Sequence, residues 1–164
     1  MAKTLYLVRH AKSSWADMGQ RDFDRPLNKR GLRDAPEMGR RLRKRNARPE
    51  IILCSPAQRT RQTLDLLIKE IGGTLDIVRF VESIYEASDE TLLNLVQSLP
   101  ESCASAMLIG HNPSIGWLAN QLSDVRIDRM PTCAIATLEL AAPRWKVIGS
   151  CPARLNDFAC PKKG

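Results

Sequence analysis

Long apolar runs, clustered metal ligands and aromatic side chains are all scarce in this sequence, and each scarcity argues against a class of protein. No apolar run approaches the ~18 residues that a membrane-spanning helix needs. The first apolar stretch, residues 5–8, is followed at once by Arg9, which is unlike a secretory signal peptide. Aromatic residues make up 5% of the 164 residues and are not interleaved with basic residues, which disfavours nucleic-acid binding. We therefore expect a cytoplasmic protein that contacts no membrane.

Cysteine and histidine are too few and too scattered for a metal centre. The five cysteines form an odd set without a C-x-x-C pair, so we expect reduced, buried thiols rather than disulfides. There are only two histidines, and neither has a partner ligand at H-x-x-H or H-E-x-x-H spacing. The sequence therefore predicts no metal and no other cofactor.

Positive charge is concentrated in the first third of the chain. Residues 1–61 contain 16 lysines and arginines against six acidic residues, a net charge of +10, whereas residues 62–164 carry a net charge of −3. Much of it falls in an amphipathic helix predicted over residues 29–45, with Leu32, Ala35, Met38 and Leu42 at core spacing. Its basic face over 30–45 has three interpretations that stay open: a solvated surface, a docking surface for an acidic partner such as a phosphotransfer domain, or a nucleic-acid contact.

Short apolar strands alternate with helical patterns, which is typical of an α/β protein. We predict a three-layer α/β/α sandwich around a mostly parallel sheet with an antiparallel edge, in one domain over 1–164 with a loose tail at 159–164. The predicted strands are 4–8, 51–54, 106–109, 134–140 and 145–150, the last two forming a hairpin, and 75–81 is a strand or extended segment. Further helices are predicted over 58–71, over 88–99 with Ser88 as N-cap, and after Asn112 (N-cap) and Pro113.

Both histidines of the chain directly follow a predicted buried strand. His10 comes after residues 4–8 and His111 after 106–109, while Arg9 adjoins His10 and Arg59 follows the strand 51–54. Ligands in open α/β sheets bind beyond the carboxyl ends of the strands, so these side chains should meet there. Guanidinium groups repel a metal ion but match the oxygens of a phosphoryl group, and a neutral histidine is a competent nucleophile towards phosphorus. The pattern thus indicates phosphoryl transfer.

Three segments carry the site residues: Leu-Val-Arg9-His10-Ala-Lys-Ser, Ser55-Pro-Ala-Gln-Arg59-Thr and Gly110-His111-Asn-Pro, supported by Asp24-Arg25-Pro26-Leu27-Asn28. Together they resemble the histidine phosphatase superfamily, which includes phosphoglycerate mutases and acid phosphatases. Ala11 replaces the glycine of the family's Arg-His-Gly motif, and this feature and the chain length resemble its short SixA-like phosphohistidine phosphatase branch. The resemblance implies a phosphoglycerate mutase-like fold over about residues 4–150.

Carried over to this chain, the resemblance assigns a role to each of four residues. His10 would be the nucleophile that becomes phosphorylated, Arg9 and Arg59 would clamp the phosphoryl oxygens, and His111 would hydrogen-bond one of them. The implied activity is metal-independent removal of phosphate, most simply from phosphohistidine of a protein. Two alternatives stay open: a phosphatase acting on small phosphorylated molecules, and a protein that binds phosphate without turnover.

Five further residues are candidates for substrate contacts, each with an ordinary structural alternative. Ser13, Arg25 and Ser55 lie near the motifs and can donate hydrogen bonds to phosphate, but also suit loops and helix caps. Glu82 and Glu86 fall in the segment where larger relatives carry an acid that protonates the leaving group, but also suit an exposed loop. A phosphohistidine phosphatase has less need of such an acid, because the P–N bond is labile and imidazole leaves readily once protonated.

Overall fold

A computed structural model describes residues 2–141 and 144–161 of the chain. The helices and strands within these residues are β1 (Lys3–Arg9), α1 (Lys29–Lys44), β2 (Ile51–Cys54), α2 (Gln58–Ile71), β3 (Val78–Phe80), α3 (Asp89–Gln97), β4 (Ser105–Gly110), α4 (Ser114–Leu122), β5 (Ile135–Leu140) and β6 (Arg154–Ala159). None of these helices has both the length and the apolar character needed to cross a membrane.

The strands form one mixed sheet in the order β3-β2-β4-β1-β5-β6. The four strands β3, β2, β4 and β1 are parallel, β5 pairs with β1 in antiparallel fashion, and β6 pairs with β5 in antiparallel fashion. The α/β fold with an antiparallel edge is therefore confirmed. Because β1, β4 and β2 are parallel neighbours, the loops that follow them emerge at one edge of the sheet.

Helices cover both faces of the sheet, as the alternation of strands and helices predicted. On one face, α1 and α2 bury their apolar sides against the sheet together with Val8, Ile52 and Ile109. On the other face, α3 and α4 pack against Leu5, Leu7 and Leu108. Residues alternate between the two cores because successive strand side chains point to opposite faces. The resulting three layers hold the ends of β1, β2 and β4 rigidly.

Helix α1 packs so closely against the loop after β1 that only glycine fits at position 31, in the first turn of the helix. A Cβ atom on Gly31 would lie 2.3 Å from the carbonyl oxygen of Lys12, a distance that side chains do not tolerate. Asn28 caps this helix through its side chain, which accepts a hydrogen bond from the Gly31 N–H at 2.9 Å. The contact fixes the backbone just beyond His10.

The predicted helices are largely confirmed, with two corrections. Helix α2 spans the predicted residues, and the Ser88 hydroxyl caps α3 by accepting from the Thr91 N–H at 3.1 Å. Leu32, assigned to the core face of α1, is instead 47% exposed, because the helix turns Gly31 and Ala35 towards the core. Asn112 and Pro113 were expected at the N-cap and first position of α4, but the helix begins at Ser114 with Pro113 as its N-cap, and the Asn112 side chain donates to the Met130 carbonyl oxygen at 2.9 Å.

The predicted hairpin partner at 145–150 is wrong, and the strand that pairs with β5 is β6. Trp145 is fully buried in a short 3₁₀ turn, where its indole N–H donates to the Cys103 carbonyl oxygen at 2.7 Å and its backbone N–H donates to Glu101 at 2.8 Å. Gly149 then takes a positive φ of 98°, which ends any extended run. Pro143 of the predicted turn lies outside the described residues.

Three smaller expectations also need correction. The tail was predicted loose from residue 159, but Ala159 is the last residue of β6 and pairs with Ile135; residues 162–164 lie outside the described residues. The segment 75–81 contains a short 3₁₀ turn followed by the three-residue strand β3. All five cysteines are free, as predicted, yet Cys151 and Cys160 are exposed rather than buried.

Candidate active site

The register of three parallel strands brings the predicted site residues to one edge of the sheet. Arg9 at the end of β1 lies opposite Gly110 at the end of β4, and the His10 N–H donates to the Gly110 carbonyl oxygen at 3.1 Å. On the other side of β4, the Ser55 N–H donates to the Ile109 carbonyl oxygen at 3.1 Å. The imidazole rings of His10 and His111 consequently lie 5.3 Å apart between centroids.

His10 is held in the protonation state that a nucleophile requires. Its Nδ1 lies 2.7 Å from the Ala11 carbonyl oxygen, which can only accept, so Nδ1 carries the proton and Nε2 keeps its lone pair. Burial lowers the pKa of His10 to about 3, aided by the nearby His111, Arg59 and Arg9 and opposed by the bond to Ala11. The ring is therefore neutral at physiological pH.

His111 is oriented by Ser55, one of the serines singled out from the sequence. The Ser55 hydroxyl lies 2.7 Å from His111 Nε2 and also accepts from the Ala57 N–H at 3.3 Å. When the Ser55 hydroxyl donates this hydrogen bond to Nε2, the neutral ring carries its own proton on Nδ1. Nδ1 can then donate a hydrogen bond to an anion. Burial lowers the pKa of His111 to about 4, and the charge of Arg59 adds to this effect.

Arg59 lies at the start of α2, where it is buried and binds Asp22 through both terminal nitrogens. One of its terminal nitrogens donates to the Asp22 carbonyl oxygen at 2.7 Å and the other to the Asp22 carboxylate at 3.1 Å. The Thr63 hydroxyl, one turn along α2, donates to the Arg59 carbonyl oxygen at 2.7 Å and accepts from the Ala11 N–H at 3.0 Å. A single threonine thus ties Arg59 to the loop that carries His10.

Arg9 and Arg25 are also close to the site, and the charges of both contribute to the lowered pKa of His111. Arg9 donates from a terminal nitrogen to the Met130 carbonyl oxygen at 3.1 Å, and burial lowers its pKa. Arg25 is buried, donates to the Ser13 hydroxyl at 3.0 Å and lies 3.2 Å from the Asp22 carboxylate. Ser13 is therefore a partner of Arg25 within the protein.

Asp22 and Tyr85 complete the site and were not singled out from the sequence. The Tyr85 hydroxyl donates to the Asp22 carboxylate at 2.7 Å, while its ring packs edge-on against His111 with centroids 5.5 Å apart. Burial and the Asp22 charge raise the pKa of Tyr85 to about 12, so the phenol keeps its proton. Burial opposes ionisation of Asp22, but Tyr85 and Arg59 outweigh it and lower the pKa of this carboxyl.

Glu82 and Glu86, the candidate acids, are both exposed on the short turn that carries Tyr85. Within the described part of the chain, neither carboxylate makes a hydrogen bond or an ion pair, so no contact connects them to the histidine pair. Arg61 is also exposed, and its guanidinium lies 4.6 Å from the centre of the Phe80 ring, on another side of α2 from Arg59.

The site is a buried cluster of nitrogen donors. Within residues 2–141 and 144–161, five buried side-chain nitrogens have no hydrogen-bond partner, and they belong to Arg9, Arg25, Arg59 and His111. One of the five, Arg25 Nε, is in an ion pair with Asp22 at 3.2 Å. Buried donors are normally paired, and charged ones pair best with anions such as phosphoryl oxygens. The same described residues contain no group of three or more histidine, cysteine or acidic side chains placed to hold a metal ion. The arrangement is suited to an oxyanion.

Comparison with known proteins agrees with this chemistry. Residues 5–86 match the family model of the histidine phosphatase superfamily, branch 1. A chloroplastic protein of Arabidopsis thaliana, uncharacterized, is 36% identical over 155 residues, covering 89% of this chain and 70% of its own. An uncharacterized protein of Mycobacterium tuberculosis is 32% identical over 165 residues, and the match covers 94% of this chain and the whole length of that protein.

Among solved structures, a candidate phosphohistidine phosphatase SixA from Agrobacterium tumefaciens is similar over almost the whole chain. It is 32% identical, the match covers 97% of this chain and 98% of that protein, and the TM-score is 0.84. The motifs after β1 and β2 lie inside the matched family region, and the TM-score shows that the two proteins share one fold. The chain therefore belongs to the histidine phosphatase superfamily, in its SixA-like branch.

Proposed function

We propose that this protein is a phosphohistidine phosphatase that works through a phosphoryl group carried on His10. The observation that carries the proposal is the state of His10: a neutral ring with Nδ1 bound to the Ala11 carbonyl oxygen and Nε2 available, beside His111 and two arginines. A binding protein has no need of a nucleophile held in this way. The similarity to the candidate SixA structure supports the same activity.

In the proposed first step, His10 Nε2 attacks the phosphorus of the substrate. The new N–P bond forms as the bond from phosphorus to the leaving nitrogen breaks, and the leaving imidazole takes a proton from solvent. Arg9 and Arg59 neutralise charge on the phosphoryl oxygens, and His111 donates its Nδ1–H to one of them. Preorganised donors of this kind supply most of the catalysis in phosphoryl transfer.

In the second step, water attacks phospho-His10 and releases inorganic phosphate. The N–P bond breaks, the pair of electrons returns to His10 Nε2, and the proton lost by water passes to the phosphate. The ring thereby returns to its starting tautomer, because Nδ1 keeps its bond to Ala11 throughout. His111, Arg9 and Arg59 serve both steps, since the same phosphoryl oxygens are present in each.

The choice of a phosphohistidine substrate rests on the leaving group. An alkoxide is a poor leaving group and needs a positioned acid, whereas imidazole departs readily once protonated. The two glutamates that might supply an acid, Glu82 and Glu86, are exposed, and Tyr85 with a pKa of about 12 keeps its proton. A phosphatase for small phosphate esters, the second candidate, lacks such support from the described residues.

The test compares three substrates with the purified chain: a phosphohistidine protein, free phosphohistidine and a panel of sugar phosphates. We expect turnover of phosphohistidine with kcat/KM well above that of any sugar phosphate, and its loss in the His10→Ala variant. A sugar phosphate turned over faster than phosphohistidine would replace the substrate assignment with the second candidate. Full activity of His10→Ala would contradict the mechanism.

A further inference from the structure

A basic pocket lies beside the histidine pair, and of the four residues that carry the chemistry at His10 only Arg9 lines it. Its volume is about 390 Å³, and its walls are formed by Arg9, Lys12, Arg30, Arg129, Pro131 and Thr132. Four of these six residues are cationic, and no acidic side chain lines the pocket. A concave surface with charge of one sign raises the local concentration of anions.

The charges of this pocket are largely not neutralised within the protein. In the described ranges, 2–141 and 144–161, the side chains of Lys12 and Arg129 form neither an ion pair nor a hydrogen bond. Arg30 lies 3.4 Å from Asp34, a carboxylate that it shares with Arg33. Arg129 also contributes to the lowered pKa of Arg9, so the two guanidinium groups repel each other across the pocket.

The outer face of helix α1 differs from the pocket in this respect. Arg40 and Arg43 both lie near Glu70, at 3.4 and 3.6 Å. Arg41 pairs with Glu37 at 3.0 Å, and Arg45 pairs with Asp157 at 3.1 Å. Much of the charge that made the helix appear basic in the sequence is therefore paired on the surface. The pocket offers the less compensated positive charge next to the site.

The pocket and the site share a wall. Arg9 lines the pocket, immediately precedes His10 and is bound to the Met130 carbonyl oxygen at 3.1 Å. The Cys133 N–H, next to the lining residues Pro131 and Thr132, donates to the His10 carbonyl oxygen at 2.9 Å. An anion in the pocket would therefore be a neighbour of the phosphoryl group on His10.

We propose that this pocket is a second anion subsite, which binds a carboxylate or phosphate group of the substrate while the substrate's phosphoryl group reacts at His10. The inference rests on the proposed function and adds a substrate class: phosphorylated molecules with a second negative charge close to the phosphoryl group. Lys12 and Arg129 bind that group, and Arg9 contacts both anions. The second anion comes either from an acidic residue beside phosphohistidine in a protein or from a small bis-anionic molecule.

The test uses two pairs of probes that differ only in the second anion. The first pair is a phosphohistidine peptide with aspartates beside the phosphorylated residue and the same peptide with asparagines. The second pair is methylphosphonate and methylenediphosphonate, compared as inhibitors and by direct calorimetric binding. Each pair is measured with the parent chain, with Arg129→Gln, and with the double variant Lys12→Met, Arg129→Gln.

We expect the parent to prefer the doubly charged member of at least one pair by roughly tenfold, as charge-assisted contacts in a partly buried pocket allow. Arg129→Gln should reduce this ratio and the double variant should abolish it. The matched control is Arg126→Gln, which removes the same charge from the same loop but outside the pocket, where Arg126 pairs with Asp128 at 3.0 Å and is 87% exposed. The control should keep the ratio of the parent.

The pair that shows the preference identifies the source of the second anion. Equal use of both members of each pair by the parent would overturn the subsite, as would a preference that survives in the double variant. Turnover of the asparagine peptide tests the proposed function separately, since that peptide has no second anion beside the phosphoryl group. The calorimetric arm requires no turnover, so the subsite and the proposed function can fail independently.

Discussion

Replacing Arg59 by lysine separates the chemistry of the site from its architecture. Lysine keeps the positive charge but lacks the planar pair of donors that matches two phosphoryl oxygens. Losing one preorganised donor of this kind typically costs about 10²–10³ in rate, or roughly 3–4 kcal/mol of barrier. We therefore expect Arg59→Lys to lower kcat/KM by about that factor.

The structure also sets a cost in stability that the sequence alone would not suggest. Arg59 donates to the Asp22 carbonyl oxygen at 2.7 Å and to its carboxylate at 3.1 Å. The first bond contributes about 1 kcal/mol. The second involves a carboxylate whose side chain is 49% exposed, so solvent screening limits it to about 0–1 kcal/mol. The free energy of unfolding should fall by about 1–2 kcal/mol, which is a few degrees in Tm for a chain of this size.

The assay measures kcat/KM at a temperature well below both melting transitions, together with a thermal melt. Arg61→Lys is the control, because Arg61 lies two residues away on the exposed side of the same helix. This control should keep the activity and Tm of the parent. Equal losses of activity in the two variants would refute the assignment of Arg59 as a phosphate clamp. So would an Arg59→Lys variant whose lost activity is explained entirely by unfolding.

Three further predictions follow from the same geometry. The folded-state pKa values of His10 and His111, about 3 and about 4, lie below the ordinary histidine value, so the unfolded chain binds protons that the folded chain does not. The free energy of unfolding should fall as pH decreases from about 6.5 towards 4, by up to about 1.4 kcal/mol per pH unit for each ring. Measured by urea unfolding, this pH dependence should be shallower for His111→Gln than for the parent. An equal pH dependence in the two proteins would contradict the burial argument. Activity should survive EDTA, since guanidinium and imidazole groups already supply the positive charge; loss of activity with EDTA and its restoration by Mg²⁺ or Zn²⁺ would show a metal requirement. Asp22→Asn should make inorganic phosphate a roughly two- to fivefold stronger inhibitor, because a carboxylate no longer competes for Arg59. Weaker inhibition by phosphate in this variant would show that Asp22 instead positions Arg59.

The central part of the site could be predicted because its residues directly follow parallel strands that are recognisable in the sequence. His10 and His111 directly follow β1 and β4, and Ser55 directly follows β2, so the topology alone brings them to one edge. Helix α2 begins three residues after Ser55, which fixes the place of Arg59 in its first turn. The fold class followed from the same alternation of strands and helices.

Other parts of the site depend on contacts between distant segments and leave no pattern in the sequence. Asp22 meets Arg59 and Tyr85 only after folding, across separations of 37 and 63 residues. Arg129 joins Lys12 in the basic pocket only because β5 pairs antiparallel with β1, which brings the loop before β5 next to the loop after β1. Tyr85 lies between Glu82 and Glu86, and although the two glutamates are the titratable acids of this segment, it is the tyrosine that packs against His111.

The misplaced strand has a comparable cause. Residues 145–150 contain apolar residues suited to a strand, but Glu101 accepts hydrogen bonds from the backbone of Trp145 and Lys146 at 2.8 and 3.1 Å. These bonds hold a 3₁₀ turn and direct the buried indole to Cys103. Tertiary hydrogen bonding therefore outweighed local strand propensity, and the edge strand formed later in the chain.

The most direct test of the account is to trap the phosphorylated enzyme. The purified chain is mixed with a substrate labelled in the phosphoryl group, quenched during turnover and digested, and the labelled peptide is identified. The account predicts an acid-labile, base-stable adduct on the peptide that contains His10, absent from His10→Ala and from any peptide containing His111. An adduct on another residue, or one that persists in His10→Ala, would contradict the assignment of His10 as the nucleophile.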